Sequence, residues 1–291
     1  MKPPIFDYVV PASIDMAVAA LAEVGGDAKI LAGGQSLVPM LNFRLLRPSV
    51  LVDINRITTL AFIEETADSV RIGALTRHFA LETSPLIARW FPIISNAMTH
   101  VAHLAIRNRG TIGGSLSHAD PAAELPLLAM VLDAELHIAS PSGMRAVAAR
   151  EFFLTALTVD LSSAEIVTEI VLPKLPPHTG WGFEEVARRH GDFALAAVAA
   201  TLTLSAGAIE EARLALTGVG PTPLRVSEAE SLLAGQSLGA DLIRQVVDVV
   251  RAAITPETDL HASSDYRRHL AGVLTKRALA AAWDRAATGA V

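Results

Sequence analysis

The chain has 291 residues, of which 51% are hydrophobic and 5% aromatic, with a net charge of −6 and no cysteine. That length suits two domains, or one large domain with an appended lobe, on a mostly aliphatic core. The acidic balance, without a Lys/Arg-rich run, gives no support for nucleic-acid binding, and the missing cysteines exclude disulfides, thiolate zinc sites and cysteine-ligated iron–sulfur clusters in this chain.

No stretch reaches the ~20 consecutive apolar residues of a membrane span. Met1-Lys2-Pro3-Pro4 lacks the apolar segment of a signal peptide, so a cytoplasmic protein is expected. Ser13 is placed to cap a helix in which Ile14, Val18 and Leu21 recur, and Gly25-Gly26 ends it. Lys29 to Leu31 reads as a short buried strand that enters Gly33-Gly34. Val50 to Ile54 and residues 70–74 read as two more strands. Thr76 can cap a short helix. Residues 86–104 read as broadly helical, broken or kinked at Pro92, and Pro121 to Leu132 as helical.

Ala134 to Ala139 and Met144 to Ala148 flank Ser140-Pro141-Ser142-Gly143, a hairpin signal. Ile166 to Leu172 is a further strand. Pro173, Pro176 and Pro177 place a domain boundary near residue 177. Beyond it, Trp181 to Arg189 alternates as a strand would. Ala197 to Ser205 and Ala208 to Thr217 pair around Ala206-Gly207, and helices follow at roughly 227–234, 240–253 and 265–286. Strands followed by helices make an α+β lobe.

Two double-glycine loops stand out, Ala32-Gly33-Gly34-Gln35-Ser36-Leu37 and Thr111-Ile112-Gly113-Gly114-Ser115-Leu116. Paired glycines remove bulk and permit positive φ, so successive N–H groups can turn inward as an anion nest. Each loop has hydroxyl neighbours. Neither is a Gly-x-Gly-x-x-Gly loop or a P-loop. A single such loop would be an ordinary tight turn; two favour a bound anion. Ala234-Gly235-Gln236-Ser237-Leu238 mimics the first loop but follows a helix, and Gly235 reads as its cap.

Other polar residues are less specific. His100 and His103 lie three apart on an expected helix but form no recognised ligand set, so no metal site is assigned. Arg107 and Arg109 are solvated charges, or they steer an anionic cofactor or face a partner. Asp120 can hold its own loop by Asx-type bonds. Glu124 shares a face with it if the helix has already begun there. No nucleophile–base pair is present, so no catalytic residue is named, as suits a protein whose cofactor carries the chemistry.

Lys29 to Leu37 and Arg107 to Pro121, with Val52-Asp53-Ile54-Asn55 and Arg189-His190-Gly191-Asp192-Phe193-Ala194, resemble the FAD-binding medium subunit of carbon monoxide dehydrogenase- and xanthine dehydrogenase-type molybdenum hydroxylases. The resemblance covers essentially the whole chain. It implies an α+β fold: an FAD-binding domain of the vanillyl-alcohol-oxidase-like (PCMH) type at 1–177, with subdomains of about 1–57 and 58–177, then a lobe of antiparallel strands and helices at 178–291. It implies FAD contacts from Lys29, Ile30, Leu31, Ala32, Gly33, Gly34, Gln35, Ser36 and Leu37, and from Thr111, Gly113, Gly114, Ser115, His118, Asp120 and Glu124. Val101, Ile166, Val167, Asp192 and Phe193 complete that set, with Phe193 placed by the flavin ring.

The same resemblance implies an electron-transfer subunit. A large molybdenum-cofactor subunit would oxidise the substrate, a small subunit with 2Fe–2S clusters would relay electrons, and two such heterotrimers would pair. The xanthine-oxidising branch has a lysine near the flavin where this chain has Glu184, so NAD is not carried over as acceptor. A self-contained flavin oxidoreductase, or an assembly subunit without flavin, remain the competing readings.

Overall fold

The computed structural model describes residues 2–289, so the last two positions of the 178–291 lobe lie outside the described residues. Strand β1 (Asp7–Val9) leads to helix α1 (Ile14–Val24), then β2 (Ala28–Leu31), α2 (Leu37–Asn42) and β3 (Val50–Asp53). The three strands form a parallel sheet in the order β1-β3-β2. Ser13 caps α1 by accepting from Met16 N, and Gly25 ends it at φ 66°, as the sequence indicates.

Next come β4 (Ile63–Glu65) and β5 (Ser69–Gly73), then six helices: α3 (His78–Thr83), α4 (Pro85–Trp90), α5 (Pro92–Met98), α6 (Leu104–Arg107), α7 (Ile112–His118) and α8 (Glu124–Val131). The hairpin β6 (Glu135–Ser140)–β7 (Gly143–Ala148), the short α9 (Ala149–Phe152), the pair β8 (Phe153–Thr155)–β9 (Thr158–Val159) and β10 (Ile166–Pro173) complete this part. Strands β4-β5-β10-β6-β7 make an antiparallel five-stranded sheet.

Three sequence expectations are corrected here. Thr76 caps no helix: its hydroxyl donates to Phe62 O, and Arg77 occupies the cap of α3. The 86–104 segment breaks twice, at Phe91 before Pro92 and again at residues 99–103, where Ala102 has φ 45°. His100 and His103 therefore lie in a connection, not on a helix. The 121–132 helix begins only at Glu124, because Ala119 is left-handed and Asp120 Oδ1 instead accepts Ala122 N in an Asx turn.

The C-terminal lobe is the antiparallel sheet β11 (Thr179–Ala187), β12 (Ala194–Ser205), β13 (Ala208–Thr217) and β14 (Leu224–Arg225), followed by α10 (Ser227–Leu233), α11 (Ala240–Ala253) and α12 (Ser264–Thr288). Strand β12 is buried on both faces. Ala197 and Ala199 join the core of the five-stranded sheet, whereas Ala196, Val198, Ala200 and Leu202 join the lobe's own core. The period-two alternation thus shares one strand between two cores and closes the domains on each other. Helix α12 sits directly on β11: a Cβ at Gly180 would strike Ala282 and Ala286, and one at Gly182 would strike Ala278. Among the described residues, no helix is long and apolar enough to cross a membrane.

Gly182→Val should therefore lift α12 off β11. The expected cost is about 3 kcal/mol or more, read as a lowered urea midpoint of the full chain. A midpoint equal to wild type would contradict this packing.

Candidate functional site

The site is organised by the segment that leaves β5. Ala74 O accepts Gly113 N at 2.9 Å, Thr76 O accepts Ile112 N at 3.1 Å, and His78 N donates to Gly110 O at 3.0 Å. The second glycine loop is thereby stitched edge-on to residues 74–78. His78 is buried, with Nε2 3.0 Å from Thr111 O. A carbonyl only accepts, so Nε2 carries the proton. Burial, with Arg107 and Arg77 nearby, lowers this histidine to about 4, and it is a neutral prop.

Arg77 reaches the other way. Its Nη1 donates to Arg109 O and its Nη2 to Asn55 Oδ1 at 2.7 Å. Asn55 is fixed by Asp53 Oδ1, which accepts its N at 2.9 Å and its Nδ2 at 2.6 Å. The same Nδ2 donates to Ala32 O at 2.8 Å. One guanidinium thus ties the first loop, through Asn55, to the second, through Arg109. Gly33 lies against that junction, where a Cβ would collide with Arg109 O.

The two loops are not equivalent. Among the described residues, the N–H groups of Gly33, Gly34, Gln35 and Ser36 have no protein acceptor, while Gln35 Nε2 braces the turn on Gly33 O at 2.9 Å. Only Gly34 has positive φ, 73°. The first loop thus has its N–H groups open to a ligand. The second does not: Ile112, Gly113, Gly114 and Ser115 all donate within the protein, Gly114 to Thr111 Oγ1 at 3.2 Å. It is the capped first turn of α7. Its glycines serve close packing, since a Cβ on Gly113 would lie 2.5 Å from Ala74 Cβ.

The remaining expected residues divide in two. Lys29 and Ser36 are exposed, and Ile30, Leu31, Ala32, Gln35, Leu37, Gly114, Ser115 and His118 are half-buried around the loops. Val101, Ile166 and Val167 have side chains in the cores. Asp120, Asp192 and Phe193 line a cavity of about 950 Å³, with Arg188, His261 and Arg267. Phe193 is 64% exposed there. The 188–193 turn packs on residues 102–103, because a Cβ on Gly191 would touch Ala102 O and the His103 ring. Helix α7 runs from the clasp towards Asp120, a span of roughly 10 Å.

Arg107 is structural: it pairs with Glu82 at 2.8 Å and donates to Val101 O and Ala102 O. Glu184 lies beside Arg285 of α12, whereas its neighbour Glu185 lies beside Glu124 of α8. On a strand one residue changes the face. Burial, with Asp120 nearby, pushes Glu124 up to about 7, and burial with Glu124 pushes Glu185 up to about 8. The sequence singles out neither Arg77, His78 nor Glu185 for the site. Among the described residues, no three His, Asp or Glu side chains are grouped to hold a metal.

Residues 4–175 match the family model for the FAD binding domain in molybdopterin dehydrogenase, and 181–282 that for the CO dehydrogenase flavoprotein C-terminal domain. The chain is 44% identical to the 6-hydroxypseudooxynicotine dehydrogenase complex subunit alpha of Paenarthrobacter nicotinovorans, over 98% of this chain and 97% of that one. It is 39% identical to the carbon monoxide dehydrogenase medium chain of Hydrogenophaga pseudoflava, over 99% and 100%. A solved carbon monoxide dehydrogenase from Hydrogenophaga pseudoflava superimposes with a TM-score of 0.96 at 40% identity, covering 98% of this chain and 99% of that one.

Arg77→Ala should separate the loops and weaken FAD binding. Loss of two charge-assisted bonds predicts roughly a 10- to 100-fold rise in Kd, measured by flavin fluorescence on the deflavinated chain; an unchanged Kd would sink the clasp. The raised acids also set a pH dependence. A carboxyl raised in the folded state gives stability that is full below its unfolded value and is lost as pH climbs through the folded one. The melting temperature should therefore fall from about pH 5 to about pH 8, and Glu185→Gln should shrink that fall by a few degrees. Identical slopes in the two proteins would refute it.

Proposed function

The chain belongs to the family of FAD-binding medium subunits of molybdenum hydroxylases, and from that premise we propose that it takes electrons from the iron–sulfur clusters of a partner subunit and passes them to an external acceptor. The full-length match to subunits of multi-subunit dehydrogenases favours this over a self-contained oxidase. The observation that carries the cofactor assignment is the set of four successive N–H groups, Gly33 to Ser36, clasped onto the second loop without a protein acceptor. Such a nest fits a diphosphate.

Gly33, Gly34, Gln35 and Ser36 would hold the diphosphate of FAD. Lys29 to Ala32 and Leu37 shape that loop, and Thr111 to Ser115 form its wall. His118, Asp120 and Glu124 offer acceptors to hydroxyls, and Asp192 with Phe193 flank the ring. The buried Val101, Ile166 and Val167 contribute through backbone and packing. Bound FAD supplies a centre that takes up and releases electrons singly or in pairs. The chain's own part is to position it, exclude water from the seam and connect it to neighbours. We place the domain division near residue 177, with subdomains of about 1–57 and 58–177, and the complex in the cytoplasm.

The partners inferred are a large subunit with the molybdenum cofactor and a small one with 2Fe–2S clusters, two heterotrimers pairing. Affinity purification of the tagged chain from its native host should recover three kinds of chain, about one flavin per medium subunit, and molybdenum. Native mass spectrometry should give a six-chain particle. Recovery of the chain alone and without flavin would overturn the proposal.

A further inference from the structure

Arg267 lies in the opening turn of α12 and is only 8% exposed. A cation there opposes the helix dipole, and burying it is costly unless its donors are matched. Three acceptors match it. Nη1 donates to Leu195 O at 2.6 Å and to Gly218 O at 3.0 Å, and Nη2 donates to Asp259 Oδ2 at 2.8 Å. Asp259 Oδ1 in turn accepts from Ala262 N at 2.9 Å and from His261 N at 2.8 Å. Those two backbone donors, with Arg267, hold the Asp259 carboxyl down to about 2, so it is charged at neutral pH.

The three acceptors come from three segments that line one cavity, the one that also holds Asp120, Asp192 and Phe193. Leu195 stands at the start of β12, two residues beyond Phe193. Gly218 follows β13, and its N donates to Pro121 O at 2.8 Å, beside Asp120. Asp259 belongs to the connection between α11 and α12. That connection reaches the Phe193 turn by a second route, since Arg188 Nη1 donates to His261 Nδ1 at 3.0 Å. A guanidinium only donates, so this nitrogen accepts. The 188–195 turn is therefore held at three points: Arg188 on His261, Gly191 against Ala102 O and the His103 ring, and Leu195 O on Arg267. Phe193 stands between the last two, 64% exposed. An aromatic side chain left in solvent does nothing to order its own turn. Here the backbone is tied down from outside and the ring is left out.

Resting on the flavin reading above, in which Phe193 flanks the ring, we propose that Arg267 is a positioning residue for the cofactor: through Leu195 O, and through Asp259, His261 and Arg188, it fixes the Phe193 turn where the flavin ring docks. Its bonded donors all face the protein, so its effect on FAD runs through Phe193. The role belongs to arginine. A guanidinium is a rigid planar fork that meets several acceptors at once, whereas a lysine ammonium is a point charge on a flexible stem. Arg267→Lys therefore keeps the cation beside Asp259 and loses the fixed geometry. Holding the turn before FAD arrives removes an ordering cost from docking, which is the advantage of a preorganised site.

The test is a double-mutant cycle on FAD binding to the deflavinated full chain, read by flavin fluorescence, with the visible spectrum of the bound flavin as a second readout. Phe193→Ala should raise Kd about tenfold and Arg267→Lys about fivefold. The double variant should stay near about tenfold, because both changes remove one contact. At saturating FAD, Arg267→Lys should move the flavin bands in the same direction as Phe193→Ala, which a role confined to stability would not do. Additive effects, a rise of about fiftyfold in the double variant, overturn the proposal, and so does Arg267→Lys with wild-type Kd and spectrum. Phe193→Ala without effect on either readout overturns it together with the ring placement, and leaves the diphosphate loop standing. A wild-type chain that takes up no FAD overturns the flavin reading and the proposal with it. Where Arg267→Lys folds poorly, Asp259→Asn loosens the same guanidinium from its half-exposed side. It should show the same non-additivity with Phe193→Ala, and additivity there overturns the proposal equally.

Discussion

The first glycine loop is held in place by the Arg77 guanidinium. Its two donors reach Asn55 Oδ1, which is bonded to the first glycine loop, and Arg109 O, which leads into the second. The interaction is directional and half-buried, and the Asp53–Asn55 Asx arrangement has already fixed its acceptor on one side. A loop with four free N–H groups is otherwise a poor structure: little within the loop beyond the Gln35 Nε2–Gly33 O bond offsets the ordering of its backbone. The clasp supplies that order from outside and leaves the N–H groups unused. Preorganised donors of this kind bind anions without reorganisation at the moment of docking.

The second constraint is the shared strand. Alternation along β12 assigns Ala197 and Ala199 to the core of the first domain and Ala196, Val198, Ala200 and Leu202 to the core of the lobe. Glycines on β11 let α12 approach until backbone meets backbone. The lobe is therefore closed by glycines, and the two domains are joined by the alanines of β12. Helix α8 packs on β12 and β13, which buries Glu124, and the Phe193 turn lies on residues 102–103.

Much of this was legible in the sequence. Ser13 and Gly25, the hairpins turning at Ser140–Gly143 and at Ala206-Gly207, and the three last helices carry their signals locally, in caps, turns and period. The segments misread share one cause. Apolar composition at 86–104 and 121–132 resembles helix, but left-handed Ala102 and Ala119 are set by tertiary contacts that no local pattern reports. Short edge strands such as β1, β4 and β14 were invisible for want of length. At the site, the loops were evident from Gly-Gly. Their difference was not, because Ala74, Thr76 and His78 satisfy the second loop from more than thirty positions away. Arg77 has no motif around it. Its partners lie 22 and 32 residues off, and only folding brings them together.

The central claim is that the first loop presents preorganised, unused N–H groups to FAD while the second is already complete. Hydrogen–deuterium exchange on the full chain, with and without FAD, tests it most directly. Without FAD, the N–H groups of residues 33–36 should exchange fast and those of 112–115 slowly. With FAD, protection should appear at 33–36 and change little at 112–115. Protection that develops at 112–115 while 33–36 stays unprotected would contradict the account.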